Sequence, residues 1–93
     1  MSNIIHLEFK NNLEVLAGNK FGREIYFSQI QNKFLINEEN IIEFPDTIEM
    51  ICSSFVQGMF SELLKKYTPN ELIKKIIIKN PEHENDIKEG LLG

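Results

Sequence analysis

Two adjacent serines, Ser53 and Ser54, are the residues whose type and position best support a chemical role. They stand directly before an apolar run that begins at Phe55 and has the spacing of a helix. A phosphate there would be attracted by the helix dipole or would repel an acidic partner, so the pair suits a phosphorylation switch. In the simpler interpretation one serine only caps the helix, as serines commonly do. The spacing alone leaves both interpretations open.

Other reactive side chains lack the patterns that catalysis or metal binding requires. Cys52 is the single cysteine, and neither His6 nor His83 has the local signature of a Cys–His pair. The stretch around His83 contains metal-ligand residue types, but its polar setting favours a solvated acidic face. Gly18 and Gly22 are not followed by the lysine and hydroxyl residue of a phosphate loop. The sequence therefore predicts no enzyme, no cofactor and no metal site.

The composition is that of a small acidic globular domain. The 93 residues are 42% hydrophobic, and 14 Asp and Glu against 10 Lys and Arg give a net charge of −4. This balance argues against nucleic acid or an anionic membrane as a direct partner, because neutralising phosphates requires clustered cations. The sequence shows neither a secretory signal nor an apolar stretch long enough to span a bilayer. We expect a single cytoplasmic domain over residues 1–93.

In the first half of the chain, the apolar period changes from that of strands to that of a helix. Ile5, Leu7 and Phe9 alternate strictly and predict a strand. After a turn at residues 10–12, residues 13–16 are expected to return as a short antiparallel strand. Residues 21–34 have helical spacing, which includes Phe27 in the buried stripe and suggests Asn19 as the N-cap.

The segments after this helix predict two further strands and three helices. Residues 41–44 are expected to form a strand, or alternatively to pair with a strand at residues 34–36. Thr68-Pro69-Asn70-Glu71 has the pattern of a capping box. Ile76–Ile78 is expected to be a strand buried on both faces, followed by a helix over residues 83–92. One helical stripe carries seven apolar residues between these strands: Phe55, Val56, Met59, Phe60, Leu63, Leu64 and Tyr67.

The order of these elements predicts an α/β fold. A strand, a helix and a second strand in the same sheet imply a right-handed parallel crossover. We therefore expect a mixed sheet of about four strands packed against helices. Residues 41–44 and 76–78 are expected to be parallel neighbours in it.

The stretch from Ile41 to Phe60 resembles the STAS-like domain families, which are relatives of bacterial anti-sigma-factor antagonists. Glu43-Phe44 resembles the acidic–Phe pair that ends a strand in these families. Ser53-Ser54-Phe55 is similar to the start of the following helix, and Gly22-Arg23-Glu24 to the start of the preceding one. The resemblance covers roughly residues 3–90. It implies a single STAS-like domain whose activity is protein binding.

The resemblance also implies a partner and a modification. The related antagonists bind ATP-binding kinases of the GHKL type, which phosphorylate a serine at this junction and so break the complex. On this sequence Ser54 is the candidate phosphate acceptor, with Ser53 beside it. Cys52 and Phe55 stand where antagonists carry an aspartate and a glycine. We expect a partner-binding surface built from Arg23, Asp46, Glu49, Ser53, Ser54 and Gln57.

A second hypothesis is an inhibitor of a host defence nuclease, encoded by a phage or mobile element, such as an anti-CRISPR protein. An acidic surface would compete for the nucleic-acid channel of a basic enzyme. That surface would come from Glu38, Glu39, Glu82, Glu84, Asp86 and Glu89. In both hypotheses the partner is another protein, and exposed phenylalanines could also support a homodimer.

Overall fold

A computed structural model of the chain describes residues 2–10 and 13–93. Strands β1 (Ser2–His6), β3 (Glu39–Glu43) and β5 (Ile76–Ile78) form one sheet in the order β1-β3-β5. Strands β2 (Val15–Leu16) and β4 (Met50–Ile51) form a second sheet. Every strand pairing among the described residues is parallel.

Helices and helical turns connect these strands. The α-helices are α1 (Asn19–Ile25), α2 (Ser53–Met59), α3 (Pro69–Lys75) and α4 (Glu84–Leu92). The shorter segments are a π-helix at Tyr26–Ile30 and 3-10 turns at Leu63–Lys65 and Pro81–His83. Within residues 2–10 and 13–93, none of the helices has the length and apolar character needed to cross a membrane.

The predicted α/β class is confirmed, and residues 2–10 and 13–93 form five strands where about four were expected. The predicted parallel pair is also confirmed, because Asn40 to Ile42 of β3 lie beside Ile76 to Ile78 of β5. The alternative strand at residues 34–36 is wrong. The buried Asn40 side chain bonds both the N–H and the carbonyl oxygen of Leu35 at 2.9 Å. The backbone groups of Leu35 therefore hold a loop in place and do not bond to a neighbouring strand.

Residues 13–16 do not return beside β1 as an antiparallel strand. Val15 and Leu16 pair in parallel with Met50 and Ile51. Leu16 and Ile51 are buried, so this distant partner completes the core. The part of the predicted turn at Asn11 and Asn12 lies outside the described residues.

β5 is an edge strand and is not buried on both faces as expected. Of the strands in the described part of the chain, only β3 lies beside it in the sheet. Ile76 is 9% exposed, whereas Ile77 is 41% exposed. Three isoleucines therefore do not identify a central strand, because the helical layer covers only one of their faces.

The first helix changes its winding at Tyr26, and its buried face differs from the predicted one. The N–H of Gln31 donates to the carbonyl oxygen of Tyr26 at 2.8 Å, the five-residue spacing of a π-turn. Tyr26 is buried because it follows Gly22 and Ile25 at the helical spacing of i, i+3 and i+4, whereas Phe27 is 43% exposed, so the predicted position of Phe27 is wrong. Asn19 is the first residue of α1, and Gly18, with φ 97°, is the N-cap in its place.

Five residues of the predicted apolar stripe are buried, whereas Leu64 and Tyr67 are half-buried, and the stripe does not lie on one continuous helix. Phe55, Val56, Met59 and Phe60 have no exposed surface. α2 ends at Met59, and turns carry the later residues of the stripe.

α1 and α2 pack closely because glycines stand where they cross. A Cβ atom on Gly22 would overlap the carbonyl oxygen of Phe55, and one on Gly58 would overlap the carbonyl oxygen of Asn19. The helices therefore approach to backbone contact, which no side chain at these positions would permit. This contact fixes the direction in which the start of α2 points.

Two predicted helix features of the second half are also present. Thr68 caps α3, and the side chains of Thr68 and Glu71 each accept the other's backbone N–H. The predicted final helix is α4, with Ile87 and Leu91 buried against the core. Leu92 is 57% exposed.

Candidate functional site

The candidate site lies at the start of α2, where the chain leaves the core. Ser53 and Ser54 are the first two residues of the helix, and both are exposed. The N-cap is Cys52, and no side chain caps the helix, so the interpretation that a serine serves as the cap is wrong. Phe55 and Val56, which follow at once, are fully buried. The two hydroxyl groups are thus presented to solvent from a rigidly anchored turn.

The two serines differ in their contacts. The Ser54 hydroxyl oxygen accepts the backbone N–H of Gly18 at 3.0 Å. This bond ties the loop before α1 to the first turn of α2. For Ser53, no hydrogen bond from the side chain to any described residue is observed. Ser54 therefore holds a neighbouring loop, whereas the Ser53 hydroxyl is free to meet solvent or a partner.

Gln57 shares the exposed face of α2 with Ser53, since residues four apart are neighbours on a helix surface. Arg23 does not join them. Its guanidinium donates to the Ser61 hydroxyl oxygen at 2.9 Å and lies 3.3 Å from the Glu62 carboxylate. Both partners follow the end of α2, so Arg23 lies toward the opposite end of that helix from the serines.

Asp46 and Glu49 lie exposed on the segment between β3 and β4. The backbone N–H of Glu49 bonds to the carbonyl oxygen of Glu14 at 2.7 Å, which fixes one end of the segment. The His83 side chain bonds the carbonyl oxygen of Ile48 through Nε2 at 3.0 Å. The segment is therefore held from two sides, and the short strand β4 connects it to α2.

A second polar group lies at the carboxyl ends of β1 and β3 and was not foreseen from the sequence. The Glu43 carboxylate contacts His6 Nδ1 and lies 3.2 Å from Lys79 Nζ. The hydrogen bond from Lys79, helped by His6, lowers the pKa of Glu43. The register of β1 and β3 places His6 beside Glu43. This register depends on both strands, so the sequence of either strand alone does not predict the group.

An open cleft of about 290 Å³ adjoins this polar group. Of the predicted site residues, only Asp46 contributes to it. Its lining consists of His6, Leu7, Glu8, Glu43, Phe44, Pro45 and Asp46.

His83 does not belong to a solvated acidic face, because it is 2% exposed. Its ring packs edge-on against Phe44, with centroids 6.0 Å apart. Its Nδ1 atom lies 3.7 Å from the Asp86 carboxylate. Across residues 2–10 and 13–93, no three His, Cys, Asp or Glu side chains are placed to hold a metal ion.

The side chain of Cys52, the N-cap of α2, is half-buried and forms no disulfide.

The acidic residues of the nuclease-inhibitor hypothesis come from two separate stretches. Glu38 and Glu39 lie at the start of β3, and the other four lie on the last 3-10 turn and α4. Within α4, Glu84 is paired with Lys88 at 3.0 Å.

Comparison with known families places residues 21–86 on the model of a STAS-like domain of unknown function (DUF4325). The match covers well over half of the chain, from α1 through β3 and β5 to α4. The predicted STAS-like resemblance is thereby confirmed. No curated protein and no solved structure matches the chain.

Proposed function

Because this chain belongs to the STAS-like domain family, we propose that it is a non-catalytic module that binds a regulatory protein through the exposed start of α2. We define the serine surface as Ser53, Ser54 and Gln57 of α2 together with Asp46 and Glu49 on the segment before β4. STAS-like domains are in general binding or regulatory modules, and this surface supplies polar groups on an anchored backbone.

One observation carries the proposal. Ser53 and Ser54 are exposed, while the next two residues, Phe55 and Val56, have no exposed surface. A partner would meet two serines on a backbone whose position is already fixed, so little backbone entropy would be lost on binding. A kinase could reach them without unfolding the helix.

Phosphorylation would alter this surface directly. A phosphate on Ser54 adds about 1.5–2 negative charges at neutral pH. It would also convert the Ser54 hydroxyl oxygen, which accepts the Gly18 N–H, into the ester oxygen of a phosphate group. We infer that an ATP-binding kinase of the GHKL type both binds the serine surface and modifies Ser54, with Ser53 as the neighbouring acceptor. The encounter would take place in the cytoplasm, where ATP is available.

The proposal is tested with the purified chain and each GHKL-type kinase encoded by the same genome. Without ATP, size-exclusion chromatography should detect a complex. With Mg-ATP, mass spectrometry should find phosphate on Ser54 or Ser53, and the complex should dissociate. The double variant Ser53→Ala and Ser54→Ala should accept no phosphate. Ser28→Ala, which removes an exposed serine beyond α1, should behave like the parent chain.

Failure to bind any such kinase, or phosphate only at other residues, would overturn the kinase-switch form of the proposal. Binding to a defence nuclease, together with a prophage locus for the gene, would favour the inhibitor hypothesis instead. The two hypotheses require different partners, so the same purified chain distinguishes them.

A further inference from the structure

The outer edge of β5 combines a missing strand neighbour with an apolar cavity. β5 has β3 on one side and no strand of the described chain on the other. A cavity of about 200 Å³ lies between this edge and the helices α3 and α4. Ile73, Ile87 and Leu91 form its apolar wall. The space is the size of one aliphatic side chain or a little more.

The backbone of β5 leaves hydrogen-bonding groups unpaired at this edge. The N–H of Lys79 donates to the carbonyl oxygen of Ile42 at 2.9 Å and therefore points toward β3. In a parallel ladder both groups of one residue point to the same side, and successive residues alternate. The N–H and the carbonyl group of Ile78 therefore point away from β3, toward the open edge. An added strand would find one donor and one acceptor there.

Around this edge four lysines meet two glutamates, Glu43 and Glu84, so the local charge is positive although the whole chain is acidic. Lys74 and Lys75 directly precede β5, and Lys79 directly follows it. Lys75 Nζ donates to the carbonyl oxygen of Ile36, so Lys74 is the more available of the first two. Lys88 and its ion-pair partner Glu84 both line the cavity. Lys79 and Lys88 are each paired with one glutamate, but their side chains are 56% and 48% exposed. Such surface pairs are weak and can be exchanged for the acidic groups of a ligand.

We propose that β5 accepts an extended segment of a partner protein as a fourth strand, and that this segment carries apolar residues flanked by Asp or Glu. One inward side chain enters the cavity beside Ile87 and Leu91. Outward side chains continue the row formed by Ile4, Ile41 and Ile77, which are in register across the sheet. Main-chain hydrogen bonds would provide affinity, as in other cases of strand addition. The cavity and the lysines would provide specificity.

A second copy of the chain fits this edge less well. Antiparallel pairing of two β5 strands centred on Ile77 would set Lys75 of each copy opposite Lys79 of the other. Like charges directly opposite each other destabilise a sheet. The charges thus favour a different protein with acidic flanks. The inference does not depend on the serine surface, because none of its residues belongs to that surface.

The test uses a labelled, end-capped peptide, Glu-Asp-Ile-Val-Ile-Asp-Glu, and the full chain in a fluorescence anisotropy titration. Its affinity should exceed that of Lys-Arg-Ile-Val-Ile-Arg-Lys by about tenfold or more, a difference of ~1.4 kcal/mol. Methylation of alternate peptide nitrogens should weaken binding by a similar factor, because strand addition needs those donors. Hydrogen exchange of the Ile78 amide should slow when the acidic peptide is bound.

Two variants separate this edge from non-specific binding. Lys74→Glu with Lys88→Glu should reverse the preference between the two peptides, whereas Lys20→Glu on α1 should leave it unchanged. Ile73→Phe should fill the cavity and weaken binding, whereas the matched Ile73→Val should not. Far-UV circular dichroism confirms that each variant is folded before it is titrated.

Three results would overturn the inference. The first is equal affinity for the two peptides, and the second is indifference to N-methylation. The third is protection of the Ile78 amide that rises with protein concentration in the absence of peptide, which would identify a second copy as the occupant.

Discussion

At the scale of a single residue, the side chain of Asn80 makes the hydrogen bonds to the Phe44 backbone that a neighbouring strand would otherwise make. Its side-chain nitrogen donates to the carbonyl oxygen of Phe44 at 2.9 Å. Its side-chain oxygen accepts the N–H of Phe44 at 2.8 Å. Both residues are buried, so water does not compete for these groups. One amide side chain therefore satisfies the backbone just beyond the end of β3.

The variant Asn80→Ala should lose about 2–4 kcal/mol of unfolding free energy, because two buried backbone groups lose their partners. Urea denaturation followed by far-UV circular dichroism measures this change. Asn85→Ala, at an exposed position of α4, is the matched control and should stay within about 0.5 kcal/mol of the parent. A loss no larger than that of the control would show that Phe44 finds other partners.

The ionised carboxylate of Glu71 makes the stability of the start of α3 depend on pH. The backbone N–H of Thr68 donates to its carboxylate at 2.9 Å, and this bond lowers the pKa of Glu71. The neighbouring Thr68 side chain adds to the effect. Because the pKa is lower in the folded chain, the ionised group stabilises the fold at pH values above its unfolded pKa. That stabilisation is lost as the pH falls through the folded pKa.

The variant Glu71→Gln should therefore have a lower urea midpoint than the parent at pH 7. The difference should shrink steadily as the pH is lowered below the ordinary glutamate value of about 4.3. Thr68→Ser retains the capping hydroxyl and should keep the pH profile of the parent. A difference between Glu71→Gln and the parent that does not change with pH would contradict the assigned role of the carboxylate.

At the scale of elements, the crossing of α1 and α2 should be the position most sensitive to a single added methyl group. Gly22→Ala and Gly58→Ala each place a Cβ atom on the backbone of the opposite helix. Backbone atoms cannot move aside as a flexible side chain can, so the helices must separate. We expect a loss of about 3 kcal/mol for each variant, at the upper end of the cost of overpacking.

Thermal unfolding of both glycine variants, followed by far-UV circular dichroism, measures this loss. Gln57→Ala is the matched control, since it alters an exposed side chain of the same helix. Its midpoint should stay close to that of the parent. Glycine variants that melt with the control would show that the two helices do not need their close contact.

The elements that the sequence predicts well are those that depend on neighbouring residues. The capping box at Thr68 and Glu71 and the apolar stripe from Phe55 onward act within one or two helical turns. The same locality makes the exposed serines predictable, because a polar pair directly before a buried stripe has to lie at its outer end.

The elements that the sequence does not predict depend on distant partners or on which face of a helix meets the core. Val15 and Leu16 pair with a strand much later in the chain, so their own alternation gives no direction of pairing. Tyr26, and not Phe27, lies in the core, because the face of the helix that meets the core is the one that contains Gly22 and Ile25. Arg23 follows a glycine as the family pattern suggests, but its partners come from residues beyond α2.

At the scale of the whole molecule, the two sheets and the helices share one hydrophobic core. Ile5 of the first sheet, Leu16 of the second and Leu91 of α4 belong to the same cluster of buried side chains. A cluster that joins both sheets should make their unfolding cooperative, as expected for a single domain of this size. A local unit that opened alone would have to leave part of this cluster exposed.

Tyr26 provides a probe of that cooperativity, because it is 8% exposed and packs in the shared core. In the variant Tyr67→Phe it is the only tyrosine of the chain, and the chain has no tryptophan. Urea unfolding followed by Tyr26 fluorescence and by far-UV circular dichroism should give the same midpoint. The complementary variant Tyr26→Phe, which reports from Tyr67, should also give coincident transitions. Separate midpoints for the two signals would show that the α1 side of the molecule unfolds independently, and the single domain predicted from the sequence would then be wrong.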